Sequence, residues 1–188
     1  MGRRKSYDRA AVLDRAMRVF WTKGYEGAHL SELLEATGLS RSSLYDGFGG
    51  KEGLYRAALE HYVDGLGDLL ALLEREPLGV ANVRAFHRAQ LEHDFLHGCF
   101  ALNTIREKHV VPRSAWHTIE TFTEGLGARL RSNLRAAARS GELPPESDPD
   151  DVAGALAVFD MGLLGYRSLG AKPQEALRLV EQIERLLE

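Results

Sequence analysis

The chain has 188 residues, 44% apolar and 27% charged, with only 6 Pro and no biased tract, a composition that excludes disorder and fibres and leaves room for a real core. At this length it holds one large domain or a small one joined to a larger one. The net charge of −3 hides a split, because residues 1–61 carry 10 Lys and Arg against 8 Asp and Glu, whereas residues 62–188 carry 14 against 19. A mildly basic front and an acidic back suggest that one end meets a polyanion.

No apolar run approaches the about 18 residues that a membrane span needs. Met1-Gly2-Arg3-Arg4-Lys5-Ser6 leads into charged helical sequence instead of an apolar signal core, so a cytoplasmic protein is expected. The single cysteine, Cys99, can neither close an intrachain disulfide nor supply a cysteine-based zinc site.

Nearly every segment repeats its apolar residues with helical period, and no alternating strand pattern interrupts them, so the expected fold is all-α. Asp8 to Lys23 carries Val12, Leu13, Ala16, Met17 and Phe20 on one stripe, with Gly24 placed as a C-terminal glycine. Leu30 to Ala36 forms a short second helix stopped at Gly38, and Ser40 caps a third. From Lys51 to Glu74 the positions Leu54, Ala58, Tyr62, Leu66, Leu69, Leu70 and Leu73 predict one long amphipathic helix ended by Pro77. Further helices are expected at 79–96, 99–109, 114–140, 149–169 and 173–187, nine in all.

Leu30 to Tyr45 carries the functional signal. Two short helices flank a turn in which Gly38 relieves the backbone, Leu39 plugs the gap, and Leu33 and Leu44 pack the helices together, as helix-turn-helix geometry requires. Arg41, Ser42 and Ser43 then fall at the outward N-terminal face of the second helix, beside Ser40, where side chains reach base edges in a major groove. Arg41 can donate a bidentate pair to guanine, while Tyr45 and Lys51 are placed to hold phosphates. Arg3, Arg4 and Lys5 form a short basic arm, either solvated or in contact with the DNA backbone or minor groove.

With these flanks the sequence resembles the TetR (tetracycline-repressor-like) family of transcriptional regulators. The family pattern stands here as Phe20-Trp21-Thr22-Lys23-Gly24-Tyr25, then Leu44-Tyr45-Asp46-Gly47-Phe48-Gly49-Gly50-Lys51-Glu52-Gly53-Leu54. Against that pattern His29 stands where a Thr or Ser usually caps the second helix and touches phosphate, Leu34 replaces a small residue, and Gly47 replaces a frequent His. The resemblance implies a nine-helix fold with a three-helix DNA-binding domain over 1–50 and a helical effector-binding and dimerisation domain over 51–188.

It also implies a homodimeric repressor that leaves an inverted-repeat operator, a double-stranded DNA, when a small-molecule effector binds. Helix 149–169 carries Leu156, Phe159, Leu163 and Tyr166 with Gly154, Gly162 and Gly165, and helix 173–187 carries Leu177, Val180 and Ile183. Three glycines in one helix suggest a close second backbone, and in the family these two helices form the dimer interface. Phe86, Phe95, Asn103, Trp116, Phe122 and Met161 are the candidate pocket residues, since aromatic side chains with a few polar groups make small-molecule cavities.

Other chemistries leave weak traces. His93 and His97 stand at i and i+4 with Asp94 between them, an imperfect copy of a zinc-protease signature, because aspartate is one methylene short and Gly98 breaks the helix at once. Cys99 lacks a resolving partner, and no oxyanion donors accompany it. No catalytic residue, metal site or cofactor is assigned. The alternative to a DNA-reading regulator is a helical ligand-binding or protein-interaction module that has lost specific DNA binding, in keeping with His29, Gly47 and the weak basic charge.

Overall fold

The computed structural model describes residues 7–92, 98–185 and 187. The described residues contain helices and no strand, in the order α1 (Arg9–Gly27), α2 (Leu30–Thr37), α3 (Arg41–Phe48), α4 (Lys51–Gly65), α5 (Gly67–Ala71), a 3₁₀ turn (Leu72–Glu74), α6 (Val80–Glu92), α7 (Phe100–Arg106), α8 (Arg113–Ser140), α9 (Pro149–Ser168) and α10 (Pro173–Arg185). The expected helix over 51–74 is thus interrupted at Leu66, whose φ of −85° and ψ of 2° leave the helical region. Gly65 and Gly67 flank that residue, and two adjacent poor helix formers weaken the ladder there. With 51–74 counted as one interrupted segment, the total is nine among the described residues. No helix in them is long and apolar enough to cross a membrane.

Packing divides the chain into two compact units, Met1–Gly65 with Phe100–Glu120, and Leu66–Cys99 with Thr121–Glu188. In the first unit, Asp8 accepts from Ala10 N at 3.0 Å and caps α1. Val12, Leu13, Ala16 and Phe20 of α1 enter the core with Leu33, Leu44, Leu54 and Leu59. Phe20 meets Tyr55 edge to face at 4.8 Å, and Phe100 meets Tyr55 and Tyr62 the same way at 5.6 and 5.8 Å. Each such pair adds about 0.5–1.5 kcal/mol beyond its burial, so α1, α4 and α7 are held by a shared aromatic knot.

In the second unit, α6 packs on α10 and on the 3₁₀ turn. Asn133, fully buried, satisfies its whole amide there: Nδ2 donates to Leu73 O at 2.7 Å and Arg129 O at 2.9 Å, and Oδ1 accepts from Gly79 N and Asn82 Nδ2 at 3.1 Å. Complete pairing makes this polar core residue a structural rivet, since an orphaned amide would cost about 1–3 kcal/mol. Asp148 accepts from Asp150 N at 2.7 Å to cap α9, with Pro149 at its first turn. Leu163, Ala176 and Val180 form a small core with Leu91 and Phe159.

Candidate nucleic-acid interface

The α2–α3 turn is built by Gly38, whose φ of 71° is left-handed and whose N–H donates to Leu34 O at 2.9 Å. Thr37 Oγ1 donates to Leu33 O at 2.5 Å, and Leu39 seals the turn from beneath at 6% exposure. Ser40 caps α3 by accepting from Ser43 N at 3.1 Å, with its hydroxyl also 2.8 Å from Ser43 Oγ and 3.1 Å from Ser42 Oγ. Leu44 anchors the inner face of α3. Arg41, Ser42, Tyr45 and Asp46 are exposed on its outer side, with Ser43 half-buried. Ser40, Ser42 and Ser43 therefore spend part of their hydrogen-bonding capacity on one another and on the cap, leaving Arg41 as the least committed group at the start of the helix.

After α3 the chain turns through Gly49 and Gly50, with φ of 80° and 102°, into Lys51. A β-carbon on Gly53 would overlap the carbonyl oxygen of Phe48, so the backbones of α3 and α4 meet at this position. Lys51 Nζ lies 4.7 Å above the Tyr25 ring and donates to Glu26 O at 3.4 Å. Burial holds its ammonium below the ordinary lysine range, with the Glu26 charge opposing. Burial likewise raises the Tyr25 phenol, and Glu52 adds to the shift. The lysine is thereby positioned at the start of α4 with its charge only partly solvated, a poise that favours a phosphate partner.

His29 is the exposed N-cap residue of α2, and its backbone N–H donates to Glu32 Oε2 at 3.2 Å. Glu32 also pairs with Lys23, whose hydrogen bond holds the carboxyl below the usual carboxylate range. Gly47 faces Tyr7, whose hydroxyl fills the place a β-carbon would take, so a larger residue there would require the Tyr7 side chain to shift. The Tyr7 ring stacks on Phe48 at 6.3 Å, and the Arg9 guanidinium lies 4.5 Å over the same ring. The basic arm Arg3, Arg4 and Lys5 lies outside the described residues.

The candidate pocket residues fall in both units. Asn103 lines a cavity of about 440 Å³ within the first unit. Trp116, in the same unit, donates to Glu120 at 2.5 Å and carries Lys108 Nζ 4.5 Å over its ring. Phe86 is buried in the second unit, Phe122 is half-buried, and Met161 is exposed on α9. Phe95, His93, Asp94 and His97 lie outside the described residues, and Cys99 is buried. Of the candidate dimer residues, Leu156, Leu163 and Val180 are buried within the chain; Phe159, Leu177 and Ile183 are half-buried; Tyr166 is exposed. Val158, Leu169 and Leu179, with 71%, 85% and 43% exposure, are large apolar side chains that sequence reasoning left off this face.

Two further relationships were missed. Glu107 on the turn after α7 accepts from Tyr25 N at 2.8 Å, across a sequence gap that carries no local signal. His87 Nε2 lies 3.2 Å from Asp160 Oδ1, both nearly inaccessible, and neither group has an aligned hydrogen-bond partner. Here a signal did exist, because Asp160 sits on the same helical stripe as Leu156 and Leu163.

Comparison with known proteins places these features in context. The family model described as "Bacterial regulatory proteins, tetR family" matches residues 12–58. The HTH-type transcriptional repressor ComR of Escherichia coli (strain K12) is 32% identical over 188 residues, covering 97% of this chain and 88% of the relative. The transcriptional regulator AcuR of Cereibacter sphaeroides is 28% identical over 80% of this chain and 72% of its own. Among solved structures, the TetR family transcriptional regulator CifR, a cysteine mutant complexed with 26bp double-strand operator DNA, superposes with a TM-score of 0.81 at 27% identity over all of both chains.

Proposed function

The chain belongs to the bacterial TetR family and is a DNA-binding transcriptional regulator rather than an enzyme, and from that premise we propose that it works as a homodimeric repressor released from an inverted-repeat operator by a small-molecule effector. The observation that carries this reading is the pairing of two exposed groups, Arg41 and Ser42 at the start of α3, with Lys51 at the start of α4. The first two read base edges and the third holds a phosphate. His29, Ser40, Ser43 and Tyr45 complete the DNA-facing set. We divide the labour at residue 50, with 1–50 reading DNA and 51–188 binding effector and dimerising in the cytoplasm, where the operator lies.

The dimer face we assign to α9 and α10 uses Tyr166 together with the exposed Val158, Met161, Leu169 and Leu179. Gly154, Gly162 and Gly165 have open space at their missing β-carbons, so a second backbone can approach there. A two-fold axis would set the two α3 helices about 34–36 Å apart, on successive major grooves. The test is selection of bound duplexes from a random pool, followed by anisotropy titration of the enriched sequence at several salt concentrations. An inverted repeat whose affinity falls steeply with salt is expected. Weak binding indifferent to sequence would favour the helical module without DNA specificity.

A further inference from the structure

The start of α1 and the last turn of α3 meet at Gly47 and Phe48. Gly47 offers no side chain, and the Tyr7 hydroxyl lies where its β-carbon would be. The Tyr7 ring stacks on Phe48 with centroids 6.3 Å apart, and the Arg9 guanidinium lies 4.5 Å over the same Phe48 ring. Stacking on a ring engages the flat face of a guanidinium and leaves the N–H donors at its edge free. Arg9 is exposed, and its guanidinium makes no ion pair or hydrogen bond among the described residues. The neighbouring Asp8 carboxylate is spent on the N–H groups of Ala10 and Ala11, at 3.0 and 3.4 Å. Arg9 is therefore a cation held in place, with unspent donors, beside the end of the helix that reads DNA.

We propose that Arg9, seated on Phe48, is a second anchor for the DNA backbone and holds a different phosphate from Lys51, an assignment that rests on the operator-binding reading above. The eight residues of α3 rise about 12 Å, which is about the width of the major groove. With Arg41 and Ser42 at the base edges, the last turn of α3, and Phe48 with it, comes up against the phosphates of the groove wall. There the free edge of the guanidinium matches two phosphate oxygens with parallel hydrogen bonds. Its stack on Phe48 ties it to the body of the domain, so it meets the backbone and does not search for a base. Lys51 rests instead on Tyr25, near the other end of α1, a helix of 19 residues and so about 28 Å long. That separation puts the two cations on separate phosphates. Gly47 leaves the surface between them and the DNA clear of any side chain of its own, and α1 supplies the contact that residue 47 cannot.

The test is anisotropy titration of the full chain, at several salt concentrations, with the duplex enriched by selection and with a scrambled duplex of the same length. Arg9→Gln removes the charge and keeps a planar group over Phe48. It should weaken both duplexes about tenfold at low salt and lower the salt slope by about one per protomer, with the sequence preference unchanged. Arg9→Lys, which keeps the charge, should restore most of the slope and so separates the lost charge from lost packing. Arg9→Gln combined with Lys51→Ala should lower the slope by about two per protomer. A double variant no worse than either single one would overturn the assignment to separate phosphates. An unchanged slope in Arg9→Gln, a loss confined to one sequence, or a slope that Arg9→Lys does not restore would overturn the anchor while leaving the operator reading intact. If the unaltered chain bound neither duplex, the operator reading would fall and the anchor with it.

Discussion

The Glu107 carboxylate occupies the space that a β-carbon on Gly24 would need. One of its oxygens, Oε1, would overlap that carbon, and the other accepts from Tyr25 N at 2.8 Å. Gly24 itself stands at φ 73° and ψ 176°, a region open essentially to glycine alone. The break in α1 is thus fixed twice, by backbone conformation and by a carboxylate that substitutes for the missing helical partner of Tyr25. Gly24→Ala should cost about 1–3 kcal/mol in urea unfolding from the backbone alone. Operator affinity should fall with it, because Tyr25 carries Lys51; an Ala variant with unchanged unfolding midpoint would refute the account of the break.

Gly53 tests the α3–α4 junction. Alanine is ordinarily the better helix former by about 1 kcal/mol, so on an open helix face Gly53→Ala would stabilise. Here the new methyl meets the Phe48 carbonyl oxygen, a backbone atom that cannot swing aside. The expected result is a net loss of about 1–3 kcal/mol, measured by thermal or urea unfolding. A stabilised variant would mean that the two backbones do not approach as described.

How much of this was legible in the sequence follows the range of the interactions. Gly38, Leu39 and Leu44 announce the helix-turn-helix because turn and packing partners lie within one short segment, and Gly24 announces the end of the regular part of α1. Leu66 gave no warning, since an apolar residue in phase with Leu69 and Leu73 reads as helix until the effect of its two flanking glycines is felt. Glu107 could not be connected to Tyr25 by any local pattern. Three candidate dimer residues, Leu156, Leu163 and Val180, satisfy the helical period yet are consumed by the core, because periodicity identifies an apolar stripe without saying which neighbour covers it.

The buried His87–Asp160 pair gives a double-mutant test. The two side chains are 0% and 4% exposed and 3.2 Å apart, without the alignment of a hydrogen bond. Removing one partner leaves the other's polar atoms buried alone, so His87→Leu or Asp160→Leu should each destabilise by about 1–3 kcal/mol. Replacing both by apolar residues should restore most of that loss, since no buried polar group is then left alone. Additive losses in the double variant, read from chemical unfolding, would contradict this picture.

Tyr55 predicts an alkaline limit. Burial pushes its phenol from 10.0 up to about 12, against the lowering effect of its hydrogen bond with Thr104. Because the folded value is the higher one, the neutral phenol is favoured in the fold. The corresponding stabilisation is complete below pH 10 and is lost as pH climbs from 10 towards 12, to a limit of about 2–3 kcal/mol. Tyr55→Phe should lose about 1 kcal/mol at neutral pH with the Thr104 hydrogen bond and show a flatter decline above pH 10. Urea midpoints taken across the alkaline range would distinguish the two curves, and parallel curves would show that Tyr55 does not set the limit.

Arg41 and Lys51 should fail differently, although both are cations at a helix start. Arg41 is exposed and free to reach a base edge, so Arg41→Ala is expected to cost about 1–3 kcal/mol on the selected operator and little on duplexes altered at the position it reads. Lys51 is held over Tyr25 and against Glu26, where it can meet a phosphate but not search for a base. Lys51→Ala should therefore weaken all duplexes alike and lower the salt slope of binding by about one. If instead Lys51→Ala changed the preferred sequence and Arg41→Ala did not, the assignment of reading to α3 and anchoring to α4 would have to be exchanged.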